Sequence, residues 1–136
     1  MATTRLEHRG GLAFELELQG HRFGVDASAE LGGQGRGPQP KPLVLSALAG
    51  CTGMDVVSIL AKMQMPFDSF AIEVDGTLTL EHPKVYSAVH IRYILAGARA
   101  ERAKIEKAIN LSLDKYCGVA AMLKKTASLS WELVIN

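Results

Sequence analysis

Between Pro40 and Met65 the chain carries only three charged side chains, Lys41, Asp55 and Lys62, and is apolar almost all round. This segment constrains the fold more than any other. A helix without a polar face belongs inside a molecule or at an interface, and Pro66 sets its end. A chain of 136 residues fits one domain, 1–136. One small domain struggles to cover such a helix, so an obligate homodimer is expected. The longest charge-free apolar-rich run, Pro42 to Met54, falls short of the ~20 residues that span a bilayer. The N-terminus, Met1 to Gly11, has no hydrophobic stretch after its charges and does not read as a secretory signal. The expected setting is therefore cytoplasmic, with no membrane partner. Fifteen basic against fourteen acidic residues give +1, which excludes a global field for nucleic acid.

Four segments alternate with period 2, the pattern of strands with one buried face. They are Leu12 to Leu18, Phe70 to Glu81, Val85 to Leu95, and Ser128 to Ile135. Shorter stretches, Thr3–Glu7 and His21–Asp26, also read as strands. Gly10-Gly11, Gln19-Gly20 and His82-Pro83 punctuate these runs as turns, so antiparallel hairpins are expected. A second helical segment runs from about Ala100 to Lys125, with Ile105, Ala108, Ile109 and Ser112 on one face. Gly118 and the run before it predict a break and restart near Cys117. Strands with one polar face and segregated helices predict an α+β fold: antiparallel sheets, a long central helix and a broken C-terminal helix. Ala27 to Gln39 is glycine-rich and reads as a mobile loop.

Two cysteines are too few for a disulfide scaffold and lack CxxC spacing. In a reducing compartment each is either core packing or redox chemistry. Cys51 sits mid-helix with Asp55 one turn on, and a carboxylate there disfavours a thiolate, so a reactive Cys51 needs a cation from elsewhere. Cys117 falls where the C-terminal helix restarts, and a helix N-terminus favours a thiolate. Free cysteines of either kind are commonly small core hydrophobes. The run Gly32 to Gly37 matches neither a phosphate-binding loop nor a dinucleotide fingerprint. His8, His21, His82 and His90 show no ligand spacing, so no metal is expected.

Three stretches resemble the OsmC/Ohr family of thiol peroxidases, in its small OsmC-like branch. The first runs from Gly37-Pro38-Gln39-Pro40 through Leu43 to Cys51 and on to Leu60. The second holds Ala108-Ile109, Leu111-Ser112, Lys115-Tyr116-Cys117 and Ala121-Met122-Leu123. His82-Pro83 before a strand also fits. The resemblance implies an intertwined α+β homodimer with sites at the subunit interface. It implies reduction of organic hydroperoxides by a dithiol reductant, with no metal or organic cofactor. It makes Cys51 the peroxidatic cysteine and Cys117 the resolving one. The family's thiolate is held by an arginine from the first hairpin turn, the place of Arg9, and by a glutamate about ten residues before the cysteine. Here those preceding positions are Lys41 and Pro42, so the acid is missing, and Asp55 is a possible substitute. Lys41, Arg22 and Arg36 are alternative cations. An apolar pocket with neighbours such as Met54, Phe14 or Met122 would favour bulky hydroperoxides. The alternative reading is a non-catalytic dimer that binds a small apolar or thiol-reactive ligand.

Overall fold

The computed structural model describes residues 1–136. Its chain forms two compact units, Met1–Val44 and Leu45–Asn136.

The N-terminal unit is a three-stranded antiparallel meander of β1 (Thr4–His8), β2 (Phe14–Leu18) and β3 (His21–Val25). The register sets Leu6 against Leu16 and Leu16 against Phe23, so one face is apolar. That face is only partly covered: Leu6, Phe14, Leu18 and Phe23 are each 38–44% exposed, where the alternation predicts burial. The opposite face carries Arg5, Glu7, Glu15, Glu17 and Arg22: Arg5 pairs with Glu7 along β1, and Arg22 reaches across to Glu15 and Glu17 on β2. Between β1 and β2 the chain reverses through Gly10 and Gly11, both at positive φ, closed by the Ala13 N–H bond to Gly10 O (3.0 Å).

The glycine-rich segment after β3 is not a free linker. Asp26 is buried, and its carboxylate accepts from the backbone N–H groups of Ala27 (2.7 Å), Gln34 (3.1 Å) and Arg36 (3.2 Å). Glycine is required at 37, where a Cβ would lie 2.0 Å from Gly24 O. The Gln34 amide leads the Arg36 and Ala27 amides in holding the Asp26 pKa below its ordinary value, against the opposing effect of burial. A carboxylate whose pKa is lower folded than unfolded stabilises above its unfolded value, and that contribution is lost as pH falls through the folded one. The amides of Gln34 and Arg36 should therefore keep their hydrogen-exchange protection through the usual carboxylate range and lose it only below. In Asp26→Ala they should lose it at neutral pH. Equal protection in wild type and variant would show that the loop closes without Asp26.

The C-terminal unit stacks helices on one face of a second sheet. β4 (Ser69–Leu78) and β5 (Tyr86–Ala96) form a long antiparallel hairpin. β6 (Ser128–Ile135) then joins β5 in parallel, which departs from the expected all-antiparallel pairing. The helical segment between them supplies the long crossover that parallel neighbours need, since a tight turn can join only antiparallel strands. Inward positions Ile72, Val74, Val89, Ile91, Tyr93, Leu95 and Leu133 build the core, while Glu73, Asp75, His90, Arg92 and Glu132 point outward. On the outer face Arg92 bridges Glu132 (2.7 Å) and Glu73 (3.0 Å), and His90 Nδ1 lies 2.8 Å from Ser130 Oγ.

α1 (Leu43–Lys62) lays Leu48, Thr52, Gly53, Val56 and Leu60 on its buried face. A Cβ at Gly53 would meet the Ile72 side chain at 2.9 Å, so glycine there lets helix and sheet approach. At 20 residues, with mean hydropathy 1.9 over an 18-residue window, α1 is long and apolar enough to cross a membrane by length and composition alone. The expectation to the contrary counted only the shorter charge-free run. In the fold, the interior face of α1 packs on the sheet and is interrupted by polar Thr52. After β5 come α2 (Arg102–Leu111), a π-helical turn (Ser112–Tyr116) and α3 (Gly118–Leu123). The predicted break therefore falls at Cys117, whose backbone is extended (φ −77, ψ 102).

A candidate two-thiol active site

Helical spacing places Cys51 and Asp55 one turn apart on α1. The π-turn carries the chain so that Ser112 and Cys117 both face inward, with the Cys117 N–H donating to Ser112 O at 2.7 Å. These two elements bring three side chains together. The sulfurs of Cys51 and Cys117 and a carboxylate oxygen of Asp55 all lie within 4.8 Å of one another. Both cysteines are free thiols, Cys51 partly exposed and Cys117 buried. No histidine joins the cluster, and three donors fall one short of a closed structural zinc set.

Cys117 caps α3: the Ala120 N–H points at its sulfur at 3.3 Å. The sequence predicts that a helix N-terminus favours its thiolate, but burial wins. Burial first, then the hydrogen bond to Cys51, pushes the Cys117 thiol up to about 11, against the smaller opposing effect of the Ala120 amide. A helix of only one and a half turns has little dipole to offset the desolvation of a charge.

Beneath the cluster lies a chain of buried hydroxyls that the sequence reading missed. Ser112 Oγ donates to Asp55 Oδ2 at 2.8 Å. Thr52 Oγ1 lies 2.8 Å from Ser112 Oγ and 2.8 Å from Tyr93 Oη. Burial pushes the Tyr93 phenol up to about 12, the Thr52 hydrogen bond opposing it. The signal was available: Ser112 and Thr52 are polar residues on otherwise apolar helix faces, and a buried hydroxyl needs a partner.

The remaining candidates fall elsewhere. Arg9 belongs to the N-terminal unit, where it pairs with Glu15 (3.1 Å) and Glu7 (3.1 Å). Glu15 leads in raising its pKa, so the guanidinium stays charged. Arg22 lies on β3 rather than a loop and pairs with Glu17 at 3.0 Å, while Arg36 donates to Arg9 O at 3.1 Å. Met54 lines an open apolar groove of about 600 Å³ with Gly53, Val57, Phe70 and Ile72. Met122 does not line that groove and is 64% exposed, and Phe14 belongs to the N-terminal unit.

The chain is thus an α+β protein with two adjacent free thiols beside a carboxylate. The family of OsmC-like proteins matches residues 33–132, and the chain belongs to it. Protein YhfA of Escherichia coli strain K12 is 33% identical over 127 residues, covering 91% of this chain and 92% of that one. A hypothetical protein of Aquifex aeolicus VF5 superposes with a TM-score of 0.84 at 28% identity, over 100% of this chain and 98% of that one. An organic hydroperoxide resistance protein OsmC from Legionella pneumophila gives 0.76 at 12% identity, over 98% and 96%, a likeness of fold alone.

Proposed function

We propose that the protein is a thiol-dependent peroxidase that reduces organic hydroperoxides. The observation that carries this reading is the pair of free sulfurs within 4.8 Å, one partly exposed and one buried. The thiolate of Cys51 attacks the distal peroxide oxygen, the O–O bond breaks, an alcohol leaves, and Cys51 becomes a sulfenic acid. Cys117 condenses with it, water leaves, and a disulfide forms, which a dithiol then reduces. A sulfur separation under 5 Å needs only a modest rearrangement to reach a bond of ~2.05 Å. Family membership, and the name of the Legionella pneumophila neighbour, support hydroperoxides as the substrate class. The test is consumption of cumene hydroperoxide with dithiothreitol, compared with hydrogen peroxide. Turnover that prefers the organic peroxide supports the reading, and none above the dithiothreitol background rejects it.

Arg9 is the cation proposed to offset Asp55 at Cys51. Its own carboxylates, Glu7 and Glu15, hold the guanidinium in place of the acid missing at Lys41 and Pro42. Arg9→Ala should slow iodoacetamide alkylation of Cys51 at neutral pH several-fold with an unchanged melting curve. Coincident alkylation rates would leave Arg9 as a surface ion-pair residue.

The functional unit is proposed to be a homodimer formed by one OsmC-like domain per chain, working in the cytoplasm. Support comes from the outer stripe of α1, where Val44, Ala47, Gly50, Met54, Val57 and Ala61 are exposed and uncharged, with Met54 77% exposed. Sedimentation at micromolar concentration should give twice the chain mass, and a stable monomer would contradict it.

A further inference from the structure

We propose that Asp55 is the proton shuttle of the resolving step, held in place by the buried hydroxyls of Ser112, Thr52 and Tyr93. This rests on the peroxidase reading and extends it to a residue with no other assigned task.

The argument starts from hydrogen-bond direction. A carboxylate only accepts, so the single proton of Ser112 is committed to Asp55. Thr52 must then donate to Ser112, and Tyr93 to Thr52. Three hydroxyls, each with one proton, are thereby aligned toward one carboxylate. The chain ends on Tyr93, fully buried in the core, so it offers no proton exit and serves as a brace. The brace fixes one oxygen edge of Asp55 and leaves the carboxylate beside both sulfurs.

The chemistry of closure needs a group at that place. In the condensation of Cys51 sulfenic acid with Cys117 thiol, the S–H bond of Cys117 breaks and the S–S bond forms. The S–O bond of Cys51 breaks, and hydroxide must leave as water. Cys51 sulfur is reduced and Cys117 sulfur oxidised, with no further electron donor required. One proton must travel from Cys117 to the departing oxygen. A buried thiol does not release it to water, and its burial keeps it protonated. A carboxylate oxygen of Asp55 lies within 4.8 Å of both sulfurs, the two ends of that transfer: on this proposal it takes the proton from Cys117 as the sulfurs close and returns it to the leaving oxygen.

The same residue has the opposite effect on the first step, because its charge beside Cys51 opposes formation of the attacking thiolate. The two steps therefore separate in Asp55→Asn, an isosteric change that still accepts from Ser112. Rapid mixing with cumene hydroperoxide, with dimedone trapping of the sulfenic acid and mass detection of the disulfide, reads both. Sulfenic acid formation should be as fast as in wild type or faster, while disulfide closure slows by ~10²–10⁴-fold, the range of general acid–base catalysis. Ser112→Ala, which unlocks Asp55 but keeps its charge, should slow closure by a smaller factor and leave the first step alone. Closure at the wild-type rate in Asp55→Asn overturns the shuttle, as does a parallel loss of both steps, which a merely structural residue would give. No sulfenic acid in wild type would remove the peroxidase reading itself, and this step with it.

Discussion

Replacing Cys51 with serine should reduce hydroperoxide consumption to the background of dithiothreitol alone, a loss of roughly 10³-fold or more. A serine hydroxyl is not ionised near neutral pH and cannot be oxidised to a sulfenic acid, so nothing replaces the first step. Cys117→Ser should behave differently. Cys117 is buried, and its thiol is pushed up to about 11, so it is a poor first nucleophile. Its loss should leave one turnover intact, after which Cys51 sulfenic acid persists, reacts with dimedone and advances to the sulfinic acid under excess peroxide. Stopped-flow consumption and intact mass of the three proteins check both statements. Similar loss in the two variants at the first turnover would mean that the roles are not divided as burial divides the thiols.

The largest stability effect is expected in the core of α1. Leu60 is fully buried between the helix and the sheet. Leu60→Ala removes three carbon atoms from a packed site and leaves a cavity, which costs about 2–5 kcal/mol. Lys62, two residues on, is exposed, and Lys62→Ala should change stability by less than ~0.5 kcal/mol. Urea unfolding of both, at one fixed protein concentration to hold any association constant, gives the comparison. Equal stabilities would mean that α1 is not packed on the sheet as described.

Much of this architecture was legible in the residues because period-2 alternation and an uncharged helix leave few arrangements. The inward set Val89, Ile91 and Tyr93 and the helix face of Ile105, Ala108, Ile109 and Ser112 are buried as the periodicity predicts. The parallel pairing of β6 was not legible, since alternation reports which face is buried and says nothing of strand direction. The glycine-rich segment misled for a related reason. Composition there reads as freedom, but a single buried Asp26 collects the backbone amides of three residues into a closed turn. Spacing marks Thr52 and Ser112 as polar residues on apolar helix faces but not which partners they take, because Thr52, Tyr93 and Ser112 sit on three different elements. Cys117 shows the same limit: its capping position was readable, but the burial that outweighs the cap is a tertiary property.

The claim on which the account turns is that peroxide drives these two sulfurs together. Peptide mass mapping under non-reducing conditions, after one equivalent of cumene hydroperoxide, tests it most directly. The account predicts a single species in which the peptides bearing Cys51 and Cys117 are joined with the loss of two hydrogens, reversed by a dithiol. Recovery of both peptides as free thiols, or of oxidised Cys51 beside an unmodified Cys117, would contradict it.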